Sequence, residues 1–153
     1  MDVATLVSAA VGAAIATLST AFLEARRWRR DQSGRLLETR RVLYSEYLAT
    51  LSRARNAFRL LARDLDLDAT ERERAAREAF APCYDVRYQM SITASSPVRE
   101  ASEEAFRRLR DVRDRAAEGV LGGDERYTGG RREYEAALQA LRQAMRTELG
   151  SDG

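Results

Sequence analysis

The sequence predicts an all-α protein, with an N-terminal transmembrane helix followed by an antiparallel up-down bundle of about four helices. Three observations support this fold class. Proline is rare, and the helix-forming residues Ala, Leu, Arg and Glu dominate long stretches. A long uncharged segment opens the chain, and beyond it apolar residues recur every three or four positions. A chain of 153 residues has room for one domain plus a short appendage.

The uncharged segment extends from Val3 to Leu23, between the charged residues Asp2 and Glu24. As a helix it would measure about 30 Å, which matches the hydrocarbon thickness of a bilayer. Basic residues and a tryptophan follow it, a pattern typical of the cytoplasmic membrane interface. The predicted membrane-interface residues are Arg26, Arg27, Trp28, Arg29 and Arg30.

This charge asymmetry predicts a single-pass protein of the cell membrane, with its N-terminus outside and its C-terminal bundle in the cytoplasm. The predicted segments are a transmembrane helix at 1–24, a basic juxtamembrane segment at 25–34 and a cytoplasmic bundle at 35–150. Besides an interfacial amphipathic helix, which is disfavoured because no face of the segment carries charge, two alternatives compete with this interpretation. One is a secretory signal peptide, which would carry its basic residues before the apolar stretch. The other is a soluble core helix, because Ala, Ser and Thr make the segment only weakly hydrophobic.

Projected as a helix, the span has one face of large residues and one of small residues. Small residues let helices pack closely in lipid, and their spacing here follows the small-xxx-small pattern. The pattern predicts a homo-oligomer formed through the span, although an Ala-rich segment also produces such spacings by chance. The predicted helix-packing face consists of Ala9, Gly12, Ala13, Ala16 and Thr20.

A long amphipathic helix is predicted after the span, from Arg35 to about Asp66. Its apolar residues alternate steps of three and four, interrupted only by Arg40, which is the heptad-like pattern of a coiled coil. The predicted seam residues are Leu37, Tyr44, Tyr47, Leu51, Ala54, Phe58, Leu61 and Leu65.

Thr70 and Glu73 match a capping box that would open a second helix, and this helix should kink at Pro82 and end near Ala94. Its predicted buried residues are Ala76, Phe80, Cys83 and Met90.

Ser96 and Pro97 predict the N-cap and first turn of a third helix, which Gly122 and Gly123 should end. Its predicted inner stripe is Val98, Ser102, Ala105, Leu109, Val112 and Ala116.

A loop containing Gly129 and Gly130 is expected to lead into a last helix, with Gly150 just after its end. The short connections between helices imply antiparallel neighbours. The inner residues predicted for this helix are Tyr134, Leu138, Leu141, Met145 and Leu149.

Two short motifs carry a resemblance to known proteins. They are Trp28-Arg29-Arg30-Asp31 and the later Arg41-x-x-Tyr44-x-x-Tyr47-Leu48. With the weakly hydrophobic span, they resemble the uncharacterised small single-pass membrane proteins common in actinobacteria. The resemblance covers about residues 1–60. It implies an N-terminal span, a short basic segment and a cytoplasmic helical region, and it assigns no site residue.

The composition excludes much chemistry. All 26 basic residues are Arg, and His is absent, which excludes Ser–His and Cys–His pairs and imidazole metal ligands. The lone Cys83 cannot form an intramolecular disulfide and is predicted to be a small buried hydrophobe. A net charge of +2 is too small to indicate an acidic partner. No catalytic, cofactor-binding or metal-binding residue is predicted.

Three further groups favour structural interpretations. Asp64-x-Asp66-x-Asp68 lacks the later Gly and Glu of a calcium loop and predicts a helix-to-helix turn. For the tyrosines, core packing with hydroxyls reaching the surface is favoured over a ligand pocket. On the third helix, acidic residues are interleaved with the arginines, which argues against nucleic-acid binding. The tyrosines are Tyr44, Tyr47, Tyr84 and Tyr88, and the third-helix arginines are Arg107, Arg108, Arg110, Arg113 and Arg115.

These features predict a non-enzymatic, membrane-tethered helical interaction module, whose partners are the lipid bilayer and a cytoplasmic protein. The alternative is a subunit of a homo-oligomeric membrane assembly or pore-like effector, formed through the small face of the span. An enzyme is not predicted, because no paired acid and base can be named.

Overall fold

The computed structural model describes Trp28 and residues 34–150. By its internal contacts the chain separates into two units, with the boundary between Thr39 and Arg40. The predicted span, its small face and the basic residues around Trp28 lie outside the described residues. None of the helices that the structure describes is both long enough and apolar enough to cross a membrane.

Residues 34–150 form helices and connecting turns without a strand, which confirms the predicted all-α class. The first helix, α1, covers residues 34–61 of this range. The others are α2 (Ala69–Phe80), α3 (Pro82–Thr93), α4 (Ser96–Ala117) and α5 (Glu125–Leu149).

The α1 helix ends at residue 61, earlier than the predicted Asp66. The buried guanidinium of Arg72 turns the chain there, because it donates hydrogen bonds to the carbonyl oxygens of Leu61, Asp64 and Leu67 at 2.9–3.1 Å. These carbonyls would otherwise lack partners at the helix end. Leu65, predicted as a seam residue, lies in this turn and is 74% exposed.

The acidic triplet forms the predicted helix-to-helix turn. Asp64 Oδ1 accepts a hydrogen bond from the Asp66 N–H, and Asp68 Oδ1 accepts one from the Glu71 N–H at 2.9 Å. Asp68 is therefore the N-cap of α2, and the predicted capping box at Thr70 is wrong. An Asp in extended backbone meets the requirement for an N-cap two residues earlier than Thr70.

Pro82 interrupts the second arm of the bundle, as predicted. It opens α3 directly after Ala81, because proline has no N–H to continue the ladder of α2. We refer to α2 and α3 together as the α2–α3 arm.

Two predicted boundaries of the last helices are wrong. The α4 helix ends at Ala117, where Gly119 takes a left-handed φ of 79°, instead of at Gly122. The α5 helix begins directly after its N-cap Asp124, so Gly129 and Gly130 lie inside it. The N-cap of α4 is Ser95, one residue before the predicted Ser96. Gly150 follows α5 with a φ of 68°, as predicted.

Contacts at both ends of α1 establish its direction relative to its neighbours. Arg40 donates through Nε to the Thr93 carbonyl at the end of α3 (2.9 Å) and forms an ion pair with Glu148 near the end of α5. At the opposite end, the Gly122 N–H donates to the Ala62 carbonyl (2.8 Å) just before α5 begins. Thus α1 is antiparallel to both the α2–α3 arm and α5.

The core lies between the four arms and consists of the predicted inner stripes. Every predicted inner residue from Tyr44 to Leu61, and all those predicted on the α2–α3 arm and on α4, are buried. On α5, Leu149 is only partly buried. Burial of these apolar faces is the main favourable contribution to the folded state.

Candidate functional site

The interior contains a polar layer to which each arm contributes one residue. Tyr47, Cys83, Ser102 and Tyr134 are at most 1% exposed. The Tyr47 hydroxyl donates to the Ser102 carbonyl at 3.0 Å, while the Tyr134 hydroxyl has no hydrogen-bond partner among the described residues. Burial raises the pKa of the Cys83 thiol to about 11 and also raises the pKa values of both phenols. These groups are therefore protonated at neutral pH and offer no nucleophile or base.

A second polar cluster joins two helices at one end of the bundle. Glu148 accepts hydrogen bonds from Arg40 and from the Tyr44 hydroxyl, and its side chain is 11% exposed. Burial, followed by the hydrogen bond to Glu148, raises the pKa of Tyr44. The cluster joins α1 to α5, and its carboxylate is already occupied by two donors. We assign it a structural role.

The outer face of α3 is unusually apolar. Tyr84, Tyr88 and Ile92 follow each other at intervals of four residues and are 48%, 73% and 74% exposed. We call these three residues the α3 stripe. Residues four apart share one side of a helix, so the stripe is continuous. The opposite side of α3 is buried, which leaves this helix apolar on two faces.

The α3 stripe corrects the interpretation of the tyrosines. Tyr44 and Tyr47 are core residues, as predicted, and the hydroxyl of Tyr44 reaches Glu148. Tyr84 and Tyr88, in contrast, are surface residues and not core residues. Periodicity could not separate them from the core, because both faces of α3 carry apolar residues at intervals of three or four.

Aromatic rings support the stripe at its N-terminal end. The Tyr84 ring packs edge-on against Phe80 and Phe106, with centroid distances of 5.4 and 5.3 Å. Arg87 lies over the Phe106 ring at 4.7 Å, and Arg113 lies over the Phe80 ring at 4.9 Å. Such contacts hold the exposed phenol in one orientation.

Two open grooves flank Tyr84. One, of about 460 Å³, lies between α3 and α4, and the other, of about 730 Å³, lies between α2 and α4. Charged residues of both signs border the first groove, among them Asp85, Arg87, Arg99 and Glu103. An apolar stripe with a polar border is typical of protein-binding surfaces.

Three of the six arginines of α4 form ion pairs with neighbouring acidic residues of the same helix, as predicted. Arg107 and Arg108 pair with Glu104 on their own helix, and Arg113 pairs with Asp114. Arg108 also reaches Glu133 of α5 at 2.9 Å. Arg99, Arg110 and Arg115 form no ion pair among the described residues.

Three arginines near the C-terminal end of α1 lack such partners. Arg55 and Arg59 of α1 and Arg63 of the turn after it follow each other at intervals of four, and none has a carboxylate within ion-pair distance among the described residues. We call these three residues the α1 arginine row. Arg131 of α5, which pairs with Glu135 at 3.6 Å, lies on the α5 flank that faces α1. The contrast with α4 was not predicted, because both helices carry a similar density of arginine.

The remaining predicted site residues are mostly outside the described range. Trp28 is helical and 71% exposed, and the predicted roles of Arg26, Arg27, Arg29 and Arg30 at the membrane stay predictions. The same holds for the small face formed by Ala9, Gly12, Ala13, Ala16 and Thr20. Within the described part of the chain, no group of acidic or Cys side chains is placed to hold a metal ion.

Comparison with known proteins adds no relative, since no protein-family model, curated protein or solved structure matches the chain.

Proposed function

We propose that the chain is a non-enzymatic, membrane-tethered helical interaction module that binds a cytoplasmic protein through the α3 stripe. One observation carries the proposal: α3 buries one apolar face in the core and exposes a second one to solvent. Contiguous apolar surface on a folded domain commonly marks an interaction site.

The composition of the stripe favours a protein partner. Tyrosine is enriched at the energetic centres of protein interfaces, because its ring buries a large area while its hydroxyl keeps a polar contact. Ile92, at the C-terminal end of the stripe, is 74% exposed and adds an aliphatic contact. We therefore expect the partner to present an apolar surface of comparable length, such as one face of a helix.

The stripe is also rigid, which favours binding. Cys83, Val86 and Met90 on the other side of α3 are at most 5% exposed and fix the helix in the bundle. A surface that is already ordered loses little conformational entropy when a partner binds.

The membrane part of the proposal comes from the sequence. The uncharged segment from Val3 to Leu23, followed by basic residues, has the length and charge pattern of a single membrane span. The small face of that segment favours a second candidate function, a subunit of a homo-oligomeric membrane assembly.

The test is site-specific photo-crosslinking in native membranes. A photoreactive amino acid at position 88 should give a discrete adduct with a second protein, and the Ile92→Asp substitution should reduce that adduct at least tenfold. Gln139 of α5 is exposed and provides a matched control position, where no such adduct is expected.

Two results would overturn the proposal. One is equal crosslinking from positions 88 and 139. The other is an adduct at position 88 that Ile92→Asp leaves unchanged. Unfolding of Ile92→Asp in urea should match that of the parent, which separates loss of binding from loss of folding.

A further inference from the structure

We propose that the α1 arginine row, together with Arg131 and Arg142 of α5, docks the bundle onto the anionic headgroups of a phospholipid bilayer. This surface is distinct from the α3 stripe, and the inference does not depend on the proposed protein partner.

The helical spacing of α1 and α5 brings these arginines to one side of the bundle. Positions 55 and 59 fall on successive turns of α1, on the flank that faces α5, and position 63 lies in the turn directly after α1, where the Arg63 N–H donates to the Leu60 carbonyl. On α5, positions 131 and 142 occupy the flank that faces α1, whereas Arg126 and Glu133 contact α4 residues or the adjoining loop on the other flank. These arginines therefore lie on the same side of the bundle.

The buried ring of Tyr127 marks where the rows meet. This residue is 3% exposed, and burial raises the pKa of its hydroxyl. The guanidinium groups of Arg131 and of all three residues of the α1 arginine row oppose that effect. Four cations thus lie within electrostatic reach of one hydroxyl on this side of the bundle.

Little acidic charge offsets these cations. Glu135 pairs with Arg131, and the α1 arginine row has no carboxylate partner among the described residues. Arg59 and Arg63 are exposed and Arg55 is half-buried, so their guanidinium groups can reach an external anion. Clustered guanidinium groups without internal partners attract phosphate groups.

Exposed leucines beside the arginines favour a bilayer over a nucleic acid. Leu60 is 63% exposed, directly follows Arg59, and accepts a hydrogen bond from the Arg63 N–H through its carbonyl. Leu121 is 46% exposed, and the neighbouring Gly122 is hydrogen-bonded to the Ala62 carbonyl at the end of α1. Basic residues combined with exposed leucines are typical of surfaces that enter the headgroup region.

The distribution of aromatic residues points the same way. Within residues 40–150, the large exposed aromatic side chains are Tyr84 and Tyr88 of the α3 stripe. The surface that carries the α1 arginine row therefore offers no exposed ring on which a nucleic-acid base could stack.

The experiment uses the full chain with a fluorophore attached through Leu60→Cys, since native Cys83 is buried and resists labelling. The chain is reconstituted into bilayers of phosphatidylcholine alone or of phosphatidylcholine with phosphatidylglycerol. We expect quenching by brominated lipids only in the bilayers that contain phosphatidylglycerol. Removing one guanidinium should lower the docking equilibrium constant about fivefold, and removing three should lower it about a hundredfold.

Two triple variants with equal change of charge provide the decisive comparison. Arg55→Gln, Arg59→Gln and Arg63→Gln together should abolish the quenching, whereas Arg107→Gln, Arg108→Gln and Arg110→Gln on α4 should preserve it. Equal losses in the two variants would overturn the proposal, because they would indicate a response to net charge alone. Binding of duplex RNA or DNA through the α1 arginine row, without quenching in anionic bilayers, would overturn it in favour of a nucleic acid.

Discussion

The helices α1 and α3 pack their inner faces alike but expose different chemistry. Each buries apolar residues at intervals of three and four, as Tyr47 and Leu51 do on α1 and Val86 and Met90 do on α3. Their outer faces differ, because α1 exposes guanidinium groups whereas α3 exposes the apolar α3 stripe. Packing in the core constrains the inner face of each helix, whereas the outer face can carry residues that contact a partner.

The same contrast can be tested within single helices. Three helices each contain two residues of one type, of which one contacts the interior and the other faces solvent. Because residue type and helix are shared, a difference between the two substitutions measures the environment alone. The pairs are Leu51 and Leu60 on α1, Arg72 and Arg74 on α2, and Gly130 and Gly129 on α5.

The leucine pair should give the largest difference. Leu51→Asp places a carboxylate at a position that is 0% exposed, so we expect a loss of about 3–5 kcal/mol of unfolding free energy and of cooperative unfolding. Leu60→Asp, at a position that is 63% exposed, should change the free energy by less than about 0.5 kcal/mol. Urea unfolding followed by circular dichroism measures both. Similar midpoints for the two variants would show that the inner face of α1 is wrongly assigned.

The inner face was predictable because it depends on periodicity. Tyr44 to Leu61 on α1, and Val98 to Ala116 on α4, required only the helical repeat to be recognised. The kink at Pro82 and the left-handed Gly150 were predictable for a different reason, since each follows from the covalent structure of one residue.

Features that depend on contacts distant in sequence were not predictable. The end of α1 is set by Arg72, which lies in the next helix. Gly130 lies inside α5 with the Arg115 guanidinium against it, and periodicity contains no sign of that neighbour. The α3 stripe was missed because two apolar faces competed for the core, and only packing decides which one is buried.

The arginine pair should give the second largest difference. Arg72 is 8% exposed and donates to three carbonyl oxygens, so Arg72→Met leaves those acceptors without their donor. We expect a loss of about 3 kcal/mol. The Arg74 side chain is 68% exposed and pairs only with Glu78, so Arg74→Met should cost at most about 0.5 kcal/mol. Equal midpoints in urea would contradict the capping role of Arg72.

Alkaline pH should destabilise the interior without any substitution. The pKa of Cys83 rises from 9.0 in the unfolded chain to about 11 in the fold. Below pH 9 the thiol is protonated in both states and leaves stability unchanged. Between pH 9 and 11 the unfolded chain releases this proton first, which lowers the unfolding free energy by about 2 kcal/mol. Buried Tyr47 and Tyr134 act in the same direction at higher pH.

Urea unfolding at a series of pH values measures this decline. Cys83→Ala is the matched control, in which the decline between pH 9 and 10 should largely disappear while the later decline remains. The comparison uses the slopes against pH, because the smaller side chain also leaves a cavity that lowers stability at every pH. A parent protein with constant stability up to pH 11 would contradict the burial of these groups.

The glycine pair should give the smallest difference and the most specific one. A methyl group at position 129 meets nothing within 4 Å, so Gly129→Ala should stabilise the helix by about 1 kcal/mol through backbone propensity. At position 130 the same helix stabilisation is offset, because the new methyl group would collide with the guanidinium of Arg115. We therefore expect Gly130→Ala to be less stable than Gly129→Ala by about 1 kcal/mol.

A double-mutant cycle tests whether Arg115 causes that deficit. In an Arg115→Ala background the collision is absent, so the two glycine substitutions should become equivalent within about 0.5 kcal/mol. Nη1 of Arg115 is buried and has no hydrogen-bond partner in the described part of the chain, so its removal leaves no polar acceptor unsatisfied. A deficit at position 130 that persists without Arg115 would assign the cost to the backbone of α5 instead, whereas its disappearance would locate it at the contact between α4 and α5.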